Sequence, residues 1–403
     1  MRKLGGAALI AAIAIANPAL AETHTIVPGK GAQERLQEAL ILAEPGDEIV
    51  LEAGRFELTD GLSLDVDSVT VRGAGMDETV LDFTNQQGAG EGLLVTSDFV
   101  TLRRFALENP KGDGIKSKGA DAIVYHQIRV TWTGGPLSTN GAYGIYPVES
   151  TGVLVDSSMV EGASDAGIYV GQSRDITVQR SIVQYNVAGI EIENSRNAVV
   201  QENIATHNTG GVLVFDLPDL PVMGGGDVRV VRNLVTTNDV DNFAPPGNIV
   251  GGVLRGTGIL VMANENVLIS QNLLEDNETA QVMVVAYTQE FTDERYNPYP
   301  RNVVVQDNVY EGGGDKPQLP GAEQLLAALG GALPPVLWDG LQQGETPALL
   351  ASEGTPAWSI NLPQLGADPS QGSPTPYVAP VPEEAILEGP MGAPEELFKR
   401  IKG

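Results

Sequence analysis

The sequence predicts an all-β chain: a single-stranded right-handed parallel β-helix, a solenoid of about 22 residues per coil, with an N-terminal capping helix and an irregular C-terminal cap. Three observations carry this. A short phrase returns as Gly144-Ile145-Tyr146, Gly167-Ile168-Tyr169, Gly189-Ile190-Glu191, Gly211-Val212-Leu213 and Gly258-Ile259-Leu260, its apolar residues 23, 22, 22 and 47 positions apart. A second series runs in step through Val153-Leu154-Val155, Ile176-Thr177-Val178, Ala198-Val199-Val200, Val228-Arg229-Val230, Val267-Leu268-Ile269 and Val303-Val304-Val305. Within each phrase apolar and other residues alternate, the period of a strand. A repeat that cannot bury its apolar face alone must stack on its neighbours. At ~3.3 Å per residue, one period holds three short strands and their turns.

The elements follow in order. Arg2 and Lys3, the apolar run Leu4 to Ala16 and the triplet Ala19-Leu20-Ala21 have the pattern of a secretory leader over residues 1–21. It predicts cleavage after Ala21 and a periplasmic or secreted protein. That run is short and rich in Ala and Gly, and no other segment has the length of a membrane span. Residues 22–45 form the N-terminal cap region, where Leu36, Ala39, Leu40 and Ala43 share one side of a helix over Ala32 to Leu42. Such a helix covers the open end of the first coil. Residues 46–310 are the β-helix. Residues 311–403 are a C-terminal cap and a Pro/Gly-rich tail, with helices expected at Glu323 to Leu329 and Glu395 to Ile401 and strand pieces at Val336 to Trp338 and Trp358 to Ile360.

Composition narrows the chemistry. With no cysteine there is neither a disulfide nor a thiol nucleophile, and three histidines (His24, His126, His207) make a multi-histidine zinc site a poor expectation. The formal charge is −28, two units more negative once Arg2 and Lys3 leave with the leader. That field repels nucleic acid and anionic membrane surfaces. Asparagines recur at the corners in two columns, Asn186, Asn208, Asn238, Asn277 and Asn203, Asn233, Asn272, Asn308. Stacked amides satisfy one another along the axis, so they read as structure. His126, His207 and the turn residue Asp113 read the same way.

The segments Asn140 to Pro147, Gly162 to Ser173, Tyr185 to Asn194, Asn208 to Asp216 and Tyr296 to Pro300 resemble those of exported bacterial parallel β-helix repeat-containing proteins, the likeness running from about Ala32 to Tyr310. The resemblance implies fold and an exported location, with a second exported protein as partner, and brings no catalytic residues. More distantly the chain is similar to the pectate-lyase-like right-handed β-helices, which implies carbohydrate. It lacks the Asn-Thr-Asp, Asp-Asp and Gly-His-Gly set of polygalacturonases and the Asp-Pro-His of many mannuronan epimerases.

Candidate chemistry comes from facing. If the Gly-Ile strands turn Ile inward, the next residues form an outward column Lys116, Tyr146, Tyr169, Glu191, Leu213, Leu260, with Glu193, Phe215 and Met262 two residues further on. Long insertions at Trp132 to Tyr143, Phe215 to Asp227, Asp239 to Thr257 and Tyr287 to Asn302 would wall a trough ~19 Å long. Its expected catalytic residues are Glu191 and Glu193 as a carboxylate pair, or Tyr146 or Tyr169 moving a proton while Lys116 neutralises a uronate. Trp132, Tyr143, Asp165, Gln172, Asn194, Asp216, Tyr296 and Tyr299 are the expected substrate contacts, aromatic faces for sugar rings and polar groups for hydroxyls. No metal ligand set and no certain cofactor is expected; calcium is the ion to consider, at Asp216 with Asp219 or Asp239 with Asp241, although no loop has EF-hand spacing. Two functions follow: a protein that recognises carbohydrate and modifies it as a lyase, epimerase or hydrolase, or a non-catalytic envelope binding protein.

Overall fold

The computed structural model describes residues 21–88, 90–382 and 391–402, so all of the leader pattern but Ala21 lies outside the described residues. Three strands make a coil. One coil has Ala166–Gly171, Arg174–Gln179 and Ile182–Gln184, and the next has Ala188–Glu193, Arg196–Gln201 and Ile204–Thr206. Among the described residues, the strands carrying the Gly-Ile phrase join one sheet of twelve, and the others join a sheet of twenty. The fold is a right-handed parallel β-helix.

The register explains the repeat. Ile145 pairs with Ile168, Ile168 with Ile190, Ile190 with Val212, Val212 with Ile259 and Ile259 with Val282. All six side chains are fully buried, each stabilising the stack by roughly 1.5–3 kcal/mol. A glycine precedes the first five of them, as it does Ile115, and the neighbouring coil dictates it. A Cβ at Gly189 would stand 2.5 Å from the Gly211 carbonyl oxygen, and one at Gly114 2.4 Å from that of Gly144.

Both asparagine columns form the expected ladders. Asn186 Nδ2 donates to Asn208 Oδ1 at 3.0 Å, Asn208 to Asn238 at 3.1 Å and Asn238 to Asn277 at 2.8 Å. In the second column Asn203, Asn233, Asn272 and Asn308 are linked in the same way, each bond 3.0 Å. Stacked coils would otherwise leave corner carbonyls dry and unpaired.

Helix α1 (Ala32–Leu42) buries Ala32, Leu36 and Leu40 against the first coil. Before it, a strand the sequence reading leaves out, Thr23–Ile26, pairs in parallel with Glu48–Leu51. At the other end the stack runs past the expected limit near Tyr310. Val336–Trp338 pairs in parallel with Ala280–Val285, Ala357–Ser359 with Val336–Trp338, and Leu349–Ala351 with Arg301–Gln306. Long excursions between these strands, including helix α2 (Ala322–Leu329), break the sequence rhythm but not the spatial one. Thr375–Tyr377 then adds an antiparallel edge. Helix α3 (Glu395–Lys399) lies on the larger sheet, with Leu397 packed against Val124 and Leu154. No helix among the described residues is long and apolar enough to cross a membrane.

Candidate functional site

The column of residues beside the inward Ile side chains has the expected register: Lys116 beside Tyr146, Tyr169 beside Glu191, then Leu213, Leu260 and Met283, one coil apart. Its surroundings differ from the expectation. Instead of an open floor between walls, Tyr169, Glu191 and Glu193 are only 4%, 1% and 8% exposed. The insertions fold down onto the column. Leu213 and Phe215 make the floor itself apolar, so Leu217, Tyr287 and Tyr296 collapse onto it in one cluster with Tyr169. The Tyr296 hydroxyl fixes this roof by donating to the Asp216 carbonyl at 2.6 Å.

Under the roof three tyrosines and three carboxyl groups come together. The rings of Tyr143 and Tyr146 lie 4.4 Å apart, Tyr143 and Tyr169 4.7 Å, and Tyr146 and Tyr169 4.9 Å. Tyr169 donates its hydroxyl to Glu193 Oε1 at 2.7 Å. Asn248, on the loop over the floor, donates Nδ2 to Asp165 Oδ2 at 3.1 Å. Glu191 Oε1 is buried with no hydrogen-bond partner. A buried polar atom in that state costs about 1–3 kcal/mol, a cost the stack itself does not require. At the more exposed edge Lys116 Nζ sits 3.3 Å from Glu91 Oε1, 3.8 Å from Asp113 Oδ2 and 5.0 Å from the centre of the Tyr146 ring.

Burial dominates the electrostatics. It holds Glu191 well above the usual carboxylate range, with the fields of Asp165 and Glu193 adding to it. Glu193 is raised to about 7 by burial, opposed by the Tyr169 hydrogen bond. Asp165 is also raised to about 7, by burial against the opposing Asn248 bond, and Asp113 to about 6, by burial against the pull of Lys116. The phenols move the same way. Tyr146 is pushed up to about 12, and Tyr143 and Tyr169 go higher, through burial first and the neighbouring carboxylates second. Near neutral pH the cluster therefore holds carboxylic acids poised to titrate beside phenols that stay protonated.

The structure thus brings together Asp165, Glu191, Glu193, Tyr143, Tyr146 and Tyr169, with Lys116 at the edge. Lys116 is already paired with two carboxylates and is a poor counter-charge for a uronate. Most of the other expected contacts have structural partners. Trp132 is 4% exposed and belongs to the main core, its Nε1 donating to the Pro110 carbonyl at 2.8 Å. Asn194 is a loop fastener: Nδ2 donates to the Leu217 carbonyl at 2.8 Å and the Val222 carbonyl at 3.0 Å, while Oδ1 accepts from Leu217 N at 2.8 Å. Gln172 Oε1 accepts from Val222 N at 3.3 Å. Asp216 accepts from Gly224 N at 3.0 Å, and Tyr296 is committed to the roof. Tyr299 is half-buried, its carbonyl accepting from Arg301 Nη1 at 2.6 Å.

The acidic turns considered for calcium are engaged separately. Asp219 accepts from Thr292 Oγ1 at 3.1 Å, Asp239 lies 2.9 Å from His207 Nδ1 and Asp241 pairs with Arg255 at 2.6 Å. Among the described residues no group of three or more His, Cys, Asp or Glu side chains is arranged to hold a metal ion. His126 lies 2.7 Å from Asp156, a fully buried carboxylate that also accepts from Gln179 at 2.7 Å and from Arg180.

Two features had no visible signal in the sequence. Asn248 lies 83 positions from Asp165 in an irregular loop, and no spacing marks it. Further along the same floor, an apolar cavity of about 460 Å³ is lined by Leu213, Phe215, Val253, Leu260, Met262 and Met283 among others. Its wall is completed by residues beyond Leu319, where the periodicity is lost.

Comparison with known proteins agrees with the architecture. The family described as right-handed beta helix region matches residues 70–219. No curated protein matches the sequence. The A-module of the mannuronan C-5 epimerase AlgE4 from Azotobacter vinelandii is 16% identical, with 79% of this chain and 90% of that chain covered at a TM-score of 0.56. A DFA-IIIase from Arthrobacter chlorophenolicus A6 is 13% identical over 82% of this chain and 93% of that one, at 0.52. The catalytic unit of a GH87 α-1,3-glucanase from Streptomyces thermodiastaticus is 13% identical over 83% of this chain and 53% of that one, at 0.51. At such identities the likeness is one of fold.

Proposed function

We propose that this protein recognises a glycan and cleaves it by carboxylate acid–base chemistry at Asp165, Glu191 and Glu193, with Tyr143, Tyr146 and Tyr169 as the sugar-facing wall. One observation carries the reading: three carboxyl groups are gathered under cover in a fold whose stacking needs none of them, and Glu191 Oε1 is left without a partner. Two fold neighbours named for mannuronan and α-1,3-glucan support a glycan as the ligand. In the proposed reaction one acid gives its proton to the glycosidic oxygen as the C–O bond breaks. Its partner, as carboxylate, takes the proton of the water that adds to the anomeric carbon. The tyrosines remain uncharged, offering ring faces and hydroxyl donors. Phenols held this high stay protonated near neutral pH and supply no phenolate to act as base, which weighs against elimination or epimerisation through Tyr146 or Tyr169. An exported location is part of the proposal, supported by the leader pattern of residues 1–21.

The test is incubation of residues 22–403 with neutral and acidic polysaccharides, with and without calcium, following reducing ends and ultraviolet-absorbing unsaturated ends. New reducing ends that vanish in folded Glu191→Gln and Glu193→Gln establish the hydrolytic reading, and unsaturated ends replace it with elimination. A second reading, a non-catalytic binding protein acting with another exported protein, is favoured by the roof over Tyr169 and Glu191. It predicts that no new ends form and that Tyr143→Ala weakens glycan binding where Glu191→Gln does not.

A further inference from the structure

The carboxylate cluster and the apolar cavity share a floor and a wall. Glu191 and Glu193 pair in register with Leu213 and Phe215, and both of these line the cavity. The loop whose Asn248 holds Asp165 continues into Ile249, Val250 and Val253, which form the cavity's wall. One strip therefore runs from acids and phenols to aliphatic and thioether side chains within a coil or two. No Lys or Arg lines the cavity, and its one carboxyl group is that of Asp339, whose oxygens accept from Ala286 N at 2.6 Å and Leu341 N at 2.9 Å. A carboxylate or phosphate would meet no counter-charge there. The volume of about 460 Å³ lies in the range of small-ligand sites, and Met262 and Met283 can adapt to an irregular chain. Exposed Ile249 and Pro320 place part of its lining at the surface.

We propose that the ligand is an uncharged glycoconjugate, its sugar at the tyrosine–carboxylate cluster and its alkyl or acyl portion in the cavity floored by Leu213, Leu260, Met262 and Met283. This rests on the carbohydrate reading above and names the class of molecule it would take. Binding is tested by calorimetry with n-hexyl- and n-octyl-β-D-glucoside below their micelle concentrations, and with a sugarless octyl tri(ethylene glycol) ether. Two extra methylenes should tighten glucoside binding about tenfold. Filling the cavity with Met262→Trp, or with the milder Leu260→Phe, should erase that dependence on chain length while the hexyl glucoside still binds. Equal affinity for the two glucosides, or no binding of either, overturns the proposal, and equal affinity alone leaves the carbohydrate reading standing. If the sugarless ether binds as tightly as the octyl glucoside, the sugar is not recognised, and both fail together.

Discussion

Asn248 donates its side-chain amide to Asp165 across 83 residues of sequence, so one hydrogen bond ties the loop over the floor to a carboxyl group of the cluster beneath it. The bond favours the charged form of Asp165 and opposes the larger effect of burial. Asn248→Ala should therefore raise the Asp165 pKa further and loosen the loop. A hydrogen bond to a charged group is worth about 1.5–3 kcal/mol, so amide exchange across the short 3-10 helix Ile249–Gly252 should accelerate roughly ten- to a hundredfold. Unchanged exchange in that segment would show that the apolar contacts of Val250 and Val253 hold the loop without it.

Raised carboxyl groups carry a definite sign in the pH dependence of stability. Glu193 and Asp165 titrate near 7 in the folded chain and near 4 when unfolded, so the folded state binds more protons between those values. Their contribution is full below about pH 4 and is lost as pH rises through about 7. Glu191 has the same sign. Glu191→Gln should stabilise the protein at pH 8 by about 1–3 kcal/mol, and much less at pH 4.5. Denaturation at the two pH values measures this. If activity requires a protonated acid, it should fall above pH 7 in the parent protein.

What the sequence reveals is the coil, and what it hides is the roof. Ile168, Ile190 and Val212 recur because each stacks on the last, a contact between equivalent positions that leaves a period in the chain. The asparagine columns are legible for the same reason. The register of Tyr169, Glu191 and Leu213 follows from that period as well. Their burial does not, because it depends on where aperiodic loops land. Asn194 fastening Leu217 and Val222, and Tyr296 reaching Asp216, join residues with no shared repeat position. Trp132 opens an insertion and so reads as a substrate contact, whereas its ring turns inward at that corner and closes the core.

The ladders themselves should be costly to interrupt. Asn208 accepts from the backbone and side chain of Asn186, and donates to Asn238 Oδ1 and the Val183 carbonyl, in full burial. Asn208→Ala strands the Asn186 backbone N–H and takes the side-chain donor from the Val183 carbonyl, while Asn238 Oδ1 keeps only the backbone N–H of residue 208. The expected loss is about 3–5 kcal/mol, larger than for a typical surface substitution. Chemical denaturation checks it, and a loss below about 1 kcal/mol would mean that water replaces the missing amide.

Arg400 fixes the far end of the chain to the larger sheet by donating to Thr101 Oγ1 at 2.8 Å, the Ala122 carbonyl at 2.5 Å and the Phe99 carbonyl at 2.7 Å. Burial lowers its pKa to about 10, and its recorded partners are neutral oxygens. Beside it Leu397 is 1% exposed against Val124 and Leu154. The guanidinium thus acts as a polar pin beside an apolar plug. Arg400→Ala should leave the coils intact and free helix α3, which at five residues has too few turns to persist undocked. Limited proteolysis should then remove the C-terminal segment at least tenfold faster, with thermal unfolding of the remainder shifted by only a few degrees. Cleavage at the parental rate would show that Leu397 alone holds the helix.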